Sequence, residues 1–351
     1  MYKYLIRPLL FRLNPEFAHN LTLRSLRFLG KIPFARALVR LFFKRSYPSL
    51  EREVFGLRFP NPVGLAGGLD KNAECYNELS DFGFGFVEIG SLTPQAQDGN
   101  PKPRLFRLPK DQALINRMGI NNKGILSAIR NLKEHRPEVL VAANIAKNTT
   151  SETTAQIARD YDYAFSMLYD FVDFFVVNVS CPNVEGLTHL QDISYLSDIM
   201  DGILDKRMNM DVYKPVLIKV SPDITHAQAD EILDYAMRYG VDGIIAGNTT
   251  RSRDGLTASA RRIEEIGKGG MSGAPLYEKS LALVRYIVSR VNGKLPVVAT
   301  GGIMSPEQAR EMLDAGASLV EIYTGFIYEG PGLPKRILKH LDMQSQTAEN
   351  S

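Results

Sequence analysis

Short apolar runs recur along the chain from about residue 54 onward, and each ends in Gly, Asn, Thr or Ser. Eight runs follow this pattern: NPVGLAGG, FGFVEIGS, VLVAANIA, FFVVNVSC, PVLIKVSP, GIIAGNTT, PVVATGGI and LVEIYTGF. Stretches of helical character lie between most of them. Apolar runs without polar alternation are typical of strands buried on both faces, as in a parallel sheet covered by helices. The repeats predict a closed (β/α)8 TIM barrel, with a doubly wound open sheet as the alternative.

The residues before the barrel follow a helical pattern with polar and apolar sides. In PFARALVRLFFKR, Arg36, Arg40 and Lys44 recur at every fourth position, and apolar residues fill the rest of the circumference. The preceding segment EFAHNLTLRSLRFLGK places Phe17 and Phe28 on one side and His19 on the other. This pattern predicts an N-terminal extension of two amphipathic helices within residues 1–50, ahead of a barrel at residues 51–342. The polar segment 343–351 is expected to be disordered.

Charge is distributed unevenly along the chain. The first 46 residues contain ten basic residues and one acid, Glu16, so they carry +9 while the whole chain carries +3. Pro8, Pro15 and Pro33 interrupt this segment before any apolar run reaches the roughly 20 residues that cross a bilayer. The segment is therefore expected to lie on a membrane surface without crossing it. The alternative is a pair of helices packed on the protein's own core with a solvated basic face.

Composition excludes several classes of protein. A chain of 351 residues with 44% hydrophobic content can bury a large core. Cys75 and Cys181 are the two cysteines, too few for a disulfide scaffold, and they predict a reducing compartment. The five histidines are scattered and the cysteines have no zinc-binding spacing, so no metal site is expected.

Polar side chains follow the predicted strands at their carboxyl ends, where barrel enzymes place their chemistry. These are Asp70, Lys71, Ser91, Asn144, Asn178, Lys219, Asn248 and Thr249. The last two runs end instead in Gly301-Gly302 and Tyr323-Thr324-Gly325. Backbone N–H groups and a hydroxyl at that position favour a phosphate site over a simple tight turn. The segment VEGLTHLQD, after the fourth run, is expected to be a mobile lid.

These motifs together resemble those of a dihydroorotate dehydrogenase, the FMN flavoprotein of pyrimidine synthesis. The stretches that carry the resemblance are GLAGGLDKN, EIGSLTPQ, KPRLFRL, INRMGINN, NVSCPN, IKVSPD, GNTT, GGMSG, VATGGI and IYTGF. They extend from about Gly64 to Phe326. The basic head with its PEFAH stretch is similar to that of the membrane-attached, quinone-reducing class, which implies a peripheral protein on the cytoplasmic side of the cell membrane, as a monomer or homodimer.

The resemblance implies a role for each matching residue. FMN would contact Gly67, Gly68, Leu69, Asp70, Lys71, Ser91, Asn144, Asn178, Lys219, Gly247, Gly273, Gly302, Tyr323 and Thr324. Dihydroorotate would contact Lys71, Asn116, Arg117, Met118, Gly119, Ile120, Asn178, Asn183, Asn248 and Thr249. Cys181 would be the catalytic base, and His19 with Arg107 would hold the quinone.

One residue departs from the pattern of the quinone-reducing class. That class normally has serine as the base, whereas cysteine is typical of the soluble classes that reduce fumarate or NAD. One alternative is therefore a soluble-type enzyme that uses fumarate or NAD. Two further alternatives are an FMN-dependent tRNA dihydrouridine synthase and a non-enzymatic phosphate- or nucleotide-binding barrel docked on membranes. The amphipathic head favours quinone, and the confinement of positive charge to that head argues against a nucleic-acid partner.

Overall fold

The computed structural model describes residues 2–32, 34–180 and 192–349. Its strands are β1 (Arg52–Val54), β2 (Leu57–Phe59), β3 (Val63–Leu65), β4 (Phe86–Leu92), β5 (Leu105–Leu108), β6 (Ala113–Asn116), β7 (Leu140–Ile145), β8 (Phe174–Asn178), β9 (Val216–Val220), β10 (Gly243–Ala246), β11 (Gly270–Gly273), β12 (Val297–Thr300) and β13 (Leu319–Ile322).

The helices precede, connect and follow these strands. They are α1 (Arg7–Arg12), α2 (Pro15–Gly30), α3 (Ala35–Phe43), α4 (Tyr76–Ser80), α5 (Ile125–Glu134), α6 (Thr154–Leu168), α7 (Ile193–Met208), α8 (His226–Tyr239), α9 (Ala260–Ile266), α10 (Tyr277–Val291), α11 (Pro306–Asp314), α12 (Thr324–Glu329) and α13 (Leu333–Glu349).

Eight parallel strands form a closed barrel in the order β3, β4, β7, β8, β9, β10, β12, β13. Each corresponds to one of the eight apolar runs, so the (β/α)8 prediction is confirmed. The closing pair is β13 with β3, where Ile322 lies opposite Leu65. This pairing leaves no free edge on the barrel sheet, and the doubly wound alternative is therefore wrong.

A short antiparallel hairpin, β1 with β2, covers the amino-terminal end of the barrel. Its Phe59 is fully buried and makes edge-on contacts with Phe86 and Phe174, at ring-centroid distances of 5.4 and 6.1 Å. Such aromatic contacts add to the burial of apolar surface. The amino-terminal end is thereby filled with side chains, and the polar strand ends lie at the opposite end.

A second small sheet, antiparallel in the order β11, β6, β5, is separate from the barrel strands. The buried hydroxyl of Tyr328 donates to the carbonyl oxygen of Ala113 at 2.8 Å and so ties α12 to this sheet. β6 ends at Asn116, which lies opposite Gly270 of β11 and Leu105 of β5. This sheet brings the INRMG stretch to the carboxyl end of the barrel.

The N-terminal head comprises a π-helical turn at Tyr2–Ile6 and the helices α1, α2 and α3. It therefore has one more α-helix than the two that the sequence predicted, besides the π-helical turn. The basic side of α3 is turned toward the barrel. Arg36 and Arg40 both form ion pairs with the buried carboxylate of Asp81, and both also pair with Glu138. The solvated basic face that was the alternative interpretation is therefore wrong for these two arginines, because they find carboxylate partners on the barrel.

The outer side of α3 is apolar. Leu38, Leu41 and Phe42 are 56, 66 and 59% exposed. On α2, Phe17 and Phe28 are exposed as well. No helix among the described residues combines the length and apolar character that a bilayer span requires.

The C-terminal helix α13 continues to Glu349 and includes most of the segment expected to be disordered. Its final residues MQSQTAE contain several good helix formers. They extend a helix whose earlier turn is anchored by Leu333, Ile337 and Leu338, all fully buried. Propensity and anchoring together explain the difference from the expectation for residues 343–349.

Candidate active site

A cavity lies at the carboxyl ends of the barrel strands, walled by residues of the barrel, of the three-stranded sheet and of α2. Most of the predicted FMN residues line it: Gly67, Gly68, Lys71, Ser91, Asn144, Asn178, Lys219, Gly247, Gly302, Tyr323 and Thr324. So do six of the predicted substrate residues besides Lys71 and Asn178: Asn116, Met118, Gly119, Ile120, Asn248 and Thr249. Residues separated by more than 250 positions therefore meet in one cavity.

Three predicted cofactor residues do not line this cavity. The Asp70 carboxylate accepts the backbone N–H groups of Glu74 and Cys75, each at 2.8 Å, and burial raises its pKa to about 6. Leu69 packs in the hydrophobic core. Gly273 has a φ of +105°, and a Cβ there would lie 2.2 Å from the carbonyl oxygen of Gln112. Each has a structural reason for its identity that does not depend on a ligand.

Arg117 also points away from the cavity, unlike its neighbours in the INRMG stretch. Its guanidinium lies 4.6 Å from the ring centroid of Phe106 and donates to the carbonyl oxygen of Ile266. Two other predicted residues, Cys181 and Asn183, lie outside the described residues, as does most of the predicted lid.

A network of amides and hydroxyls fixes one wall of the cavity. The Asn178 amide donates to Ser91 Oγ at 2.9 Å and to Asn144 Oδ1 at 3.2 Å. Asn248 donates to Ser180 Oγ at 2.8 Å. Because each amide is held by a neighbour, its orientation is set before any ligand enters. The wall presents fixed donors and acceptors suited to a polar planar ring.

Two buried carboxylic acids in this region were not identified from the sequence. Lys219 Nζ lies 2.8 and 2.9 Å from the two carboxylate oxygens of Glu88 and 3.5 Å from Oε2 of Glu321. The Glu88 side chain also accepts a hydrogen bond from the Asn144 amide. A signal existed in the sequence, because a single charged residue interrupts each of the apolar runs FVEIGS and LVEIYT.

The charges of this cluster alter its pKa values in opposite directions. Burial alone would raise the pKa of Glu88, but the charge of Lys219 and hydrogen bonds outweigh it and hold that pKa below its ordinary value. Burial would lower the pKa of Lys219, but Glu88 and Glu321 raise it. Burial and the charge of Glu88 together raise the pKa of Glu321 well above its ordinary value. The close pair is thus Glu88 with Lys219.

Glycines form a second wall, where the phosphate site was predicted. Gly302 has a φ of +77°, and a Cβ there would lie 2.4 Å from the backbone nitrogen of Tyr277. A Cβ on Gly301 would lie 2.3 Å from Ser280 Oγ, a buried hydroxyl that has no hydrogen-bond partner among the described residues. The Ser272 and Thr324 hydroxyls are 2.8 Å apart. Bare backbone and hydroxyls of this kind suit an anion such as phosphate.

The two predicted quinone residues occupy different positions. His19 of α2 lines the cavity, and burial together with the charge of Lys71 lowers its pKa to about 3, although Glu16 partly offsets this. Arg107 lies off the cavity. It donates to the backbone oxygen of Leu13 at 2.9 Å and lies 4.6 Å from the ring centroid of Phe11. Arg107 therefore fastens the head to β5, while His19 is a neutral imidazole on the cavity wall.

Comparison with known proteins gives consistent results along the whole chain. The family model described as dihydroorotate dehydrogenase matches residues 49–344. A dihydroorotate dehydrogenase (quinone) from Christiangramia forsetii is 46% identical over 337 residues, which cover 96% of this chain and 97% of that protein. One from Coxiella burnetii is 42% identical over 353 residues, covering 99% of each.

A solved structure is similar throughout as well. The crystal structure of DHODH in complex with ferulenol from Eimeria tenella superposes with a TM-score of 0.85 at 32% identity, covering 95% of this chain and 92% of that one. The matches to relatives and to this structure include the head as well as the barrel. The chain belongs to the dihydroorotate dehydrogenase family.

Proposed function

We propose that this protein is a quinone-dependent dihydroorotate dehydrogenase, which oxidises (S)-dihydroorotate to orotate in pyrimidine biosynthesis and uses FMN as its cofactor. The observation that carries the proposal is the cavity itself. It combines a fixed amide wall, two lysines, a glycine cradle and a neutral histidine from the head. Together these groups can hold the phosphate of a cofactor and orient a small polar ring for oxidation.

The residues present fit FMN. The cradle at Gly301 and Gly302 has no room for a Cβ and supports a role in holding the phosphate, and the unpartnered Ser280 hydroxyl lies behind it. Lys219 lines the same cavity and is proposed to stabilise the negative charge that arises when the cofactor gains electrons. When bound, FMN supplies a two-electron acceptor that can pass its electrons onward.

Dihydroorotate is proposed to lie against the amide wall. Asn116, Asn178 and Asn248 line the cavity and can match the carbonyl and N–H groups of the ring. Lys71, whose ammonium group donates to Asn121 Oδ1 at 2.8 Å, is proposed to pair with the carboxylate of the substrate. The amides would then set the orientation of the ring, and the lysine would select an anionic substrate.

Cys181 is proposed as the base that removes the proton from C5 of dihydroorotate. It follows β8 and Ser180 in sequence and lies outside the described residues, so this role rests on the family pattern. A thiol with an ordinary pKa of about 8.5 ionises far more readily than a serine hydroxyl. In Cys181→Ser, reduction of the flavin followed by stopped flow should reach its plateau at higher pH than in the parent, and identical pH profiles would contradict the assignment.

The head supports a membrane quinone as the acceptor. The outward apolar side chains of α3, Leu38, Leu41 and Phe42, suit insertion at a bilayer surface. His19 of the adjoining helix α2 reaches the cavity, so a quinone that arrives from the lipid would meet the head first. We propose peripheral attachment at the cytoplasmic side of the cell membrane, with His19 near the quinone.

The test is a visible spectrum of the purified protein, followed by L-dihydroorotate without oxygen. A yellow protein that bleaches at once supports both the cofactor and the substrate. A yellow protein that does not bleach contradicts the substrate, and a colourless one that FMN does not reconstitute contradicts the cofactor. Addition of a short-chain ubiquinone, fumarate or NAD to the bleached enzyme then identifies the acceptor, and we expect recovery of colour with the quinone alone.

A further inference from the structure

Glu321 is a buried carboxyl group that the proposed function does not use. It lies on β13, is 1% exposed and lines the same cavity as Lys219. Neither of its carboxyl oxygens has a hydrogen-bond partner among the described residues. Lys219 Nζ lies 3.5 Å from Oε2 of Glu321, and the charge of the neighbouring Glu88 carboxylate also acts on it. A buried polar group without a partner calls for an explanation.

Charge balance identifies which acid of the cluster is ionised. Glu88, Lys219 and Glu321 would carry a net charge of −1 if all three were ionised, although all three side chains are buried. An uncompensated buried charge is costly, and the group normally takes up a proton instead. Lys219 can neutralise one carboxylate, and the distances decide which one. It contacts both oxygens of Glu88 within 2.9 Å, and Asn144 also donates to Glu88.

The remaining neighbours of Glu321 provide no second cation. Its β-sheet neighbours are Thr300 of β12 and Gly64 of β3, both uncharged. Among the described residues, Lys219 is the one cation that forms an ion pair with it. Asn144 of β7 and Asn178 of β8, which complete this part of the wall, are neutral amides. The surplus proton of the cluster therefore belongs on Glu321.

We propose that Glu321 carries a proton in the resting enzyme and acts as a positioning residue. Its neutral carboxyl keeps the Glu88–Lys219 pair free of a second negative charge, so the ammonium group of Lys219 remains available to the cofactor. If Glu321 were ionised, it would compete for Lys219 and oppose the arrival of electrons in the cavity. This inference rests on the proposed function, because it assumes that a flavin occupies the cavity.

The test compares the parent with Glu321→Gln, which replaces a neutral acid by a neutral amide of the same shape. The reduction potential of the bound flavin is measured at neutral pH by equilibration with a redox dye. The infrared spectrum of each oxidised protein is recorded for the C=O band of a protonated carboxyl. We expect equal potentials and a carboxylic acid band in the parent that is missing from the variant. A more positive potential in the variant, or a parent without that band, overturns the proposal.

Titration to higher pH then tests the effect on the cofactor. Once the acid band of the parent disappears, its flavin potential should fall below that of Glu321→Gln, because a negative charge has appeared beside the cavity. If the flavin potentials of the parent and of Glu321→Gln changed in parallel with pH while the acid band of the parent disappeared, the positioning role would be overturned. Asp173→Asn is the control, since this partly buried carboxylate accepts the backbone N–H of Val141 outside the cavity and its replacement should leave the potential unchanged. Bleaching of the parent by dihydroorotate is measured before these titrations. A failure of the proposed function is therefore distinguished from a failure of the proposal about Glu321.

Discussion

The guanidinium of Arg36 on α3 donates two hydrogen bonds to the carboxylate of Asp81 on the barrel. Nε lies 2.7 Å from Oδ2 and Nη2 lies 3.1 Å from Oδ1. The same guanidinium donates from Nη1 to Glu138 at 2.7 Å. Because Asp81 is almost fully buried, the pair holds a fixed position. With this contact Arg36 and Arg40 face the barrel, and the apolar side of α3 faces outward.

Replacement of Arg36 by Ala should weaken the attachment of the head. Hydrogen bonds to charged groups contribute about 1.5–3 kcal/mol, and Arg40 would still partly satisfy Asp81. The free energy of unfolding, measured in urea, should fall by an amount in that range. Arg45→Ala is the control, since Arg45 contacts only nearby backbone oxygens of its own segment among the described residues. Equal losses in the two variants would show that the ion pair contributes nothing specific.

The outward side of α3 should determine attachment to lipid. Each large apolar side chain transferred from water contributes about 1.5–3 kcal/mol, so Leu41→Ser with Phe42→Ser should reduce binding to phospholipid vesicles by at least about tenfold. Sedimentation with vesicles measures the bound fraction. Leu126→Ser alters an equally exposed leucine on α5, outside the head, and should bind like the parent. If the double variant also bound like the parent, the membrane surface would lie elsewhere.

His19 should make the protein less stable in acid. Its pKa is about 3 in the folded protein and about 6.5 in the unfolded chain, so the unfolded chain binds the extra proton first as the pH falls. Its contribution to the free energy of unfolding should therefore decline between about pH 6 and pH 4, with a slope of up to about 1.4 kcal/mol per pH unit.

Urea unfolding of His19→Gln over this pH range checks the point, because the slope due to His19 should be missing from that variant. His226→Gln, at an exposed histidine of α8, is the control. If the His19 variant kept the full slope of the parent, the imidazole would not be the group responsible.

Gly302→Ala should impair cofactor binding. The substitution forces an L side chain into a positive φ and brings its Cβ to 2.4 Å from the backbone of Tyr277. We expect a protein that loses flavin on gel filtration, seen as a lower ratio of visible to ultraviolet absorbance. Gly56→Ala has nearly the same φ, +74°, with nothing within 4 Å of the new Cβ, and should keep its flavin. If both variants had the same flavin content, the glycine cradle at Gly301 and Gly302 would not be part of the cofactor site.

The barrel could be predicted from the sequence because its strands are buried on both faces. FFVVN and VLIKV are apolar almost without a break, and their polar ends fall at the same end of a parallel barrel. The alignment of Asn178 with Lys219 in neighbouring strands follows from that topology. Strand position alone therefore placed the polar strand ends on the cavity wall, whereas Gly247 and Met118 were expected from the family resemblance.

Other features depend on partners that are distant in the sequence. The inward orientation of Arg36 requires Asp81, which no helical periodicity in the head reveals. Asn116, the last residue of β6, lines the cavity, whereas the guanidinium of Arg117 lies against the ring of Phe106. Glu88 and Glu321 were detectable as charges within apolar runs, but their relation to Lys219 appears only when three strands close into one barrel.

The position of His19 on the cavity wall determines how the protein can be made more soluble without loss of the cavity. Deletion of the head would remove the exposed apolar side of α3. It would also remove α2, and the cavity would then be open to bulk water on that side. The deletion would also leave the buried side chain of Arg104 without its ion-pair partner Glu16. A more soluble variant is better made by replacing Leu38, Leu41 and Phe42 with polar residues. These three side chains project outward, so their replacement leaves the cavity closed.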